Sequence, residues 1–175
     1  LNFYVAVYRL IRYLHRLSQA EGVGLETYFE RYPFVSGYFD QVRQVMPDDV
    51  TWEDASAWLE KEIAGWEAST SVHLPLRALV EEMDLSLTSC TALIIAGLVD
   101  EDSRFGTLFS HLQEPLGYRR PCLETIGQMV MEAGWADGAD TWSICRPLLR
   151  AELVEVMNRD APRPEWVVRV PALLW

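Results

Sequence analysis

Apolar positions recur along most of this chain at three- and four-residue spacing, and the pattern predicts a succession of amphipathic helices. Asn2 to Gln19 places Phe3, Val7, Leu10, Leu14 and Leu17 on a heptad seam, with a second apolar edge through Tyr4, Tyr8 and Ile11. Arg9, Arg12 and Arg16 line the remaining face. Two readings stay open: a helix packed into its own domain with the arginines solvated, or a helix docking on a partner or a second copy. In the second case Tyr4, Tyr8 and Ile11 are contact candidates, because two apolar edges exceed what one groove needs.

From Leu25 to Met46 the chain carries Tyr28, Phe29, Tyr32, Phe34, Tyr38 and Phe39, and Pro33 and Gly37 predict a break into two short helices. This aromatic cluster suits either a core or a groove. Thr51-x-x-Asp54 has the form of a capping box with Asp in place of Glu, ahead of a helix over Trp52 to Glu67. Its inward face is Trp52, Ala55, Trp58 or Leu59, Ile63 and Trp66, which leaves Glu53, Glu60, Lys61 and Glu67 solvated. A linker, Ser69-Thr70-Ser71, closes this N-terminal helical region at about residue 68 and opens a second region, 72–175.

In the second region Pro75 starts a short helix to Met83, and Thr88 to Val99 reads as a helix apolar nearly all round, suited to the middle of a core. Asp100, Glu101, Asp102 and Ser103 precede a helix over Arg104 to Gln113, whose Phe105, Leu108, Phe109 and Leu112 face inward. Pro115 and Gly117 stop it. A helix over Cys122 to Glu132 follows, then a Gly/Asp-rich loop from Gly134 to Asp140 and a helix over Trp142 to Leu149. Leu153 to Met157 and Trp166 to Val170 read as two strands joined by a proline-bearing loop.

The block ALIIAGLV, DEDS, Arg104-Phe105-Gly106, LFSHLQ and Tyr118-Arg119-Arg120-Pro121 resembles the winged-helix domain near the N-terminus of a group of bacterial AAA+ ATPases. The likeness extends from about Leu74 to the closing LVEVMNRDAPRPEWVVRVPALLW, a little over half of the residues. It implies a mainly α chain, an N-terminal helical region followed by a winged-helix domain with a small β-hairpin wing. By the same resemblance the chain is a non-catalytic N-terminal portion that recruits protein substrates or adaptors, or regulates a motor lying beyond Trp175. ATP and Mg²⁺ would belong to that downstream ATPase domain, as would a hexamer. Some ATPases of this group accompany extracellular contractile injection systems, which brings that context into view. Arg119 and Arg120, adjacent on a corner of an acidic domain, are its polar contact candidates.

Composition narrows the alternatives. Half of the 175 residues are hydrophobic, and the net charge is −11 with Lys61 the only lysine. The acidity concentrates between Gln19 and Glu67. A nucleic-acid partner is not expected, since phosphate binding draws on clustered Lys and Arg. In a winged helix the stretch Cys122 to Glu132 would take the recognition position, and it has no Lys or Arg. A winged-helix transcriptional regulator that binds DNA is therefore the alternative. Cys90, Cys122 and Cys145 are odd in number and set among apolar residues, which suits buried thiols in a reducing cytoplasm. No signal peptide is visible, and the longest apolar run, Ala92 to Val99, falls short of the roughly 20 residues that span a bilayer. A membrane partner is not expected. The chain starts without methionine and stops on Pro-Ala-Leu-Leu-Trp, as expected of a piece of something longer.

Catalytic motifs are absent from the sequence. Lys61 lacks the glycine pattern of a phosphate-binding loop, no nucleophile motif occurs, and His15, His73 and His111 have no second ligand at metal spacing. Asp137 and Asp140 lack the alternating ligands of a calcium loop and suit a helix-capping turn. No cofactor is expected within this chain.

Overall fold

The computed structural model describes residues 2–72, 74–131 and 140–175. Among these residues the chain is mainly helical, with nine α-helices and one two-stranded antiparallel sheet. It divides into two compact units, Leu1–Ala78 and Leu79–Trp175.

Unit 1 is built from α1 (Asn2–Glu21), α2 (Leu25–Arg31), α3 (Pro33–Val45) and α4 (Ala55–Ser69), and α5 (Pro75–Glu82) carries the boundary. Helix α1 packs against α2, α3 and α4. Every residue from Val5 to Ile11 is buried, so α1 is covered on all sides for about two turns. Both of its apolar edges are therefore core, and so is part of its arginine face. Arg9 is only 4% exposed, and its Nη2 meets Glu60 Oε1 of α4 at 3.3 Å. This corrects the expectation of solvated charge at both Arg9 and Glu60. Trp66 departs in the other direction: it lies on the exposed side of α4.

Gly22 ends α1 in a left-handed conformation (φ 71°), with Val23 N–H donating to Ser18 O at 2.9 Å and Gly22 N–H to Gln19 O at 3.2 Å. These are the two bonds of a Schellman cap, which no residue with a Cβ would enter as readily. Pro33 opens α3 at its first turn, where its missing N–H costs nothing. Gly37 does not break α3: inside a helix it lowers propensity by about 1 kcal/mol, and the flanking packing overrides that. Thr51 Oγ1 accepts from Asp54 N–H at 3.2 Å, while its hydroxyl donates to Asp54 Oδ2 at 2.7 Å. The turn at Trp52 to Asp54 thus delays the helix to Ala55.

Unit 2 is organised on α6 (Leu87–Glu101), which is buried continuously from Ser89 to Leu98 and packs against α7 (Arg104–Leu112), α8 (Leu123–Val130) and α9 (Thr141–Arg150). Ser86 caps it, accepting from Ser89 N–H at 3.0 Å. The polar groups it takes into the core have partners: Ser89 Oγ donates to Ile144 O at 2.8 Å and Thr91 Oγ1 to Leu87 O at 3.0 Å. Gly127 lets α8 and α9 touch, since a Cβ there would run into Thr141 Oγ1. Gly97 does the same for the chain end, where the Trp175 ring lies against α6.

The two strands, β1 (Glu155–Val156) and β2 (Val168–Arg169), are shorter than the sequence pattern predicts. Asn158 explains the early end of the ladder. Its Nδ2 donates to Glu165 O at 3.0 Å and its Oδ1 accepts from Val167 N–H at 2.7 Å, closing the loop that holds the 3₁₀ turn Arg163–Glu165. On its other edge β2 meets residues 121–123: Val168 N–H donates to Pro121 O and Leu123 N–H to Trp166 O, at 3.1 and 3.0 Å.

Removing Glu60 tests the burial of Arg9. Glu60→Ala should destabilise the protein by about 3 kcal/mol in urea unfolding, because it takes the carboxylate of this ion pair away from a desolvated guanidinium, whereas Arg9→Met with Glu60→Leu together should recover most of that loss.

All three cysteines are free and buried, and burial pushes the Cys145 thiol up to about 12. Thiolate is the reactive form. Native protein at pH 8 should therefore show almost no fast reaction with a disulfide reagent, and denatured protein three equivalents; fast native labelling would contradict this packing.

Candidate protein-contact surface

The corner between α7 and α8 begins with a buried amide. Gln113 follows the last turn of α7, and its Nε2 donates to Tyr118 O at 2.8 Å and to Arg120 O at 3.0 Å. Its Oε1 accepts from Cys122 N–H at 2.7 Å and from the Thr125 hydroxyl at 3.0 Å. The loop between is turned by Gly117 (φ 65°), whose carbonyl accepts from Ser110 Oγ at 2.9 Å. One side chain thereby fixes where residues 118–122 run.

That path delivers the two arginines to different fates. Arg120 grips Asp100 of α6 with both terminal nitrogens, at 2.7 and 2.6 Å, and this hydrogen bonding raises its pKa further. It is a clamp between the corner and the core helix, with its side chain 24% exposed. Arg119 remains exposed; its Nη2 reaches Ser103 O at 3.4 Å, and it lies over Gly106, where a Cβ would approach it to 3.2 Å. Arg104 folds back on Asp102 in the same way, through Nε and Nη2 at 3.0 and 2.7 Å. The acidic corner thus partners arginines of its own unit.

The N-terminal candidates in unit 1 are mostly interior. Tyr8 and Ile11 are fully buried, and the Tyr8 hydroxyl donates to Trp52 O at 2.7 Å. Tyr4 is half-buried and donates to Gln41 Oε1 at 3.0 Å. The aromatic cluster divides: Tyr28 and Tyr32 are core, while Phe39 and Trp52, 5.0 Å apart, line a cleft of about 310 Å³ with His15 and Arg43. The Tyr28 phenol is pushed up to about 12 by burial and by its bond to Glu21.

Unit 2 holds a larger cleft, about 470 Å³, between the start of α8, the start of α9 and the 3₁₀ turn. Leu123, Trp142 and Pro164 give it apolar walls, and Glu124, Asp140 and Arg163 give it charge. The Arg163 guanidinium stacks 4.4 Å from the Trp142 ring and 6.0 Å from Trp166, which meets Trp142 edge-on at 6.2 Å. Trp166 is anchored by donating Nε1–H to Ala161 O at 2.9 Å. Asp140 caps α9 by accepting from Ser143 N–H at 2.7 Å, the turn role its sequence context suggests; Asp137 and the rest of 132–139 lie outside the described residues. Sequence spacing gave no sign of this cleft, because its walls come from three elements with no shared periodicity.

Among the described residues, no group of His, Cys, Asp and Glu side chains is placed to hold a metal ion, and no helix is long and apolar enough to cross a membrane. Comparison with protein-family models, with curated proteins and with solved structures found no match for this chain.

The Gln113 corner yields a direct test. Gln113→Ala should lower the stability of unit 2 by about 3 kcal/mol, since it leaves buried donors and acceptors without partners. Gln113→Glu keeps the acceptor but sets a carboxylate against two carbonyl oxygens, so it should not rescue the loss in denaturant titrations.

Proposed function

We propose that this chain is the non-catalytic N-terminal portion of a bacterial AAA+ ATPase, a helical region followed by a winged-helix domain, acting in the cytoplasm. It recruits a protein substrate or adaptor, or regulates the motor, through protein contacts; ATP, Mg²⁺ and hexamer formation belong to a downstream ATPase domain. The contractile-injection-system context of some such ATPases is part of the same proposal.

The observation that carries it is the order of elements in unit 2. Two packed helices, α8 and α9, run into a short antiparallel hairpin whose returning strand is flanked on both edges, by β1 and by residues 121–123. That order supports a winged helix. Surface chemistry supports a protein partner, because α8 exposes Glu124 and Gln128 and the chain carries a net charge of −11.

One observation favours the second reading, a DNA-binding regulator. Helix α9, not α8, is the one that immediately precedes the hairpin in the chain, and it exposes Arg146 and Arg150, four residues apart on one face. A gel shift with random-sequence duplex at low and physiological salt separates the two: tight binding abolished by Arg146→Ala with Arg150→Ala would favour DNA. The native reading frame tests the main proposal. A G-x-x-x-x-G-K-[ST] motif followed by an acidic Walker B strand beyond Trp175 is the expected outcome, and a frame ending within a few residues of Trp175 overturns it.

A further inference from the structure

We propose that the cleft between α8, α9 and the 3₁₀ turn binds a peptide segment that presents a large apolar or aromatic side chain next to a Lys or Arg. The inference deepens the recruiting role above, since it assigns the contact to a place and the partner to a chemistry.

Size comes first. A volume of about 470 Å³ lies within the usual range for sites that enclose a small ligand, roughly 300–1,000 Å³. It is more than a single buried side chain needs. Leu123 and Pro164 offer aliphatic surface, and Trp142 offers a rigid aromatic wall. Tryptophan and arginine are among the residue types enriched at the few positions that carry most of a protein contact's energy.

Charge selects the flanking residue. Two carboxylates, Glu124 and Asp140, line the cleft against one guanidinium. That guanidinium is already stacked on Trp142, so its charge is directed at an aromatic face. Asp140 Oδ1 takes the Ser143 N–H, and Glu124 Oε1 accepts from Gln128 Nε2 at a long 3.5 Å. A carboxylate has about four acceptor sites, so each can bind a further donor. A cation suits this balance, and an anion would meet net repulsion. The net charge of −11 draws the same partners from a distance.

The site is held rather than improvised. Trp166 is fixed by its bond to Ala161, and Trp142 sits in the first turn of a helix capped by Asp140. The 3₁₀ turn packs against α8. Such anchoring lets a cleft bind without first ordering itself.

The test is a heteronuclear NMR titration of the ¹⁵N-labelled chain with two dipeptide probes, acetyl-Trp-Lys-amide and acetyl-Trp-Glu-amide, read at the tryptophan indole N–H signals. The lysine probe should shift the Trp142 signal saturably and bind about three- to fivefold more tightly than the glutamate probe, the scale of one solvent-exposed ion pair. Glu124→Gln should remove most of that preference while the Trp166 indole signal stays at its native position, which reports an intact fold. Equal binding of the two probes, or no saturable shift at Trp142 at millimolar concentration, overturns the proposal. Neither result depends on whether an ATPase domain follows, so failure here and failure of the ATPase reading are separable.

Discussion

A buried side-chain amide offers two donors and one oxygen with two acceptor sites, and Gln113 uses all of them. Its partners span residues 118 to 125, so a single rotamer sets the exit of α7, the course of the corner and the entry to α8. The consequences spread outward. Because Arg120 is delivered to Asp100, the corner is tied to α6; because Cys122 N–H is held, residues 121–123 are positioned to flank β2. Removing a partner from such a network costs more than the net worth of any one bond, since the others are left desolvated and unmatched.

Unit 1 is held by a different kind of constraint. Its central helix is wrapped on all sides, so one charged residue had to go inside with the rest. Arg9 is paired with Glu60, whose Oε1 also accepts from Ser56 Oγ at 3.4 Å. The aromatic side chains then fill the space around it as a chain of edge and tilted contacts, Phe3 to Tyr38 at 5.4 Å, Phe29 to Phe39 at 5.2 Å and Tyr8 to Trp52 at 4.6 Å. Rings packed this way are rigid but leave wedges, and the cleft beside Phe39 and Trp52 is one of them.

Periodicity made the helices legible and little else. The continuous apolar run of α6 announced a core helix, and α6 is one. The LFSHLQ motif announced a helix, but that its final glutamine is the hub of a corner could not be read from spacing, because three of its four partners are backbone groups. The arginine faces misled for a physical reason: a helix pattern shows which residues share a side, not how many sides are covered. Arg9 and Arg120 were both taken by carboxylates distant in sequence, at positions 60 and 100. The cleft at Trp142 and Arg163 escaped notice for the same cause, since a loop proline, a helix cap and a helix start meet only in three dimensions.

Gly97 bears on how this unit handles load. Where the other residues of α6 meet their neighbours through side chains, Gly97 presents bare backbone to the Trp175 ring. Any displacement of that ring therefore meets main chain rather than a side chain that could rotate aside, so it is passed directly to the helix on which the unit is built.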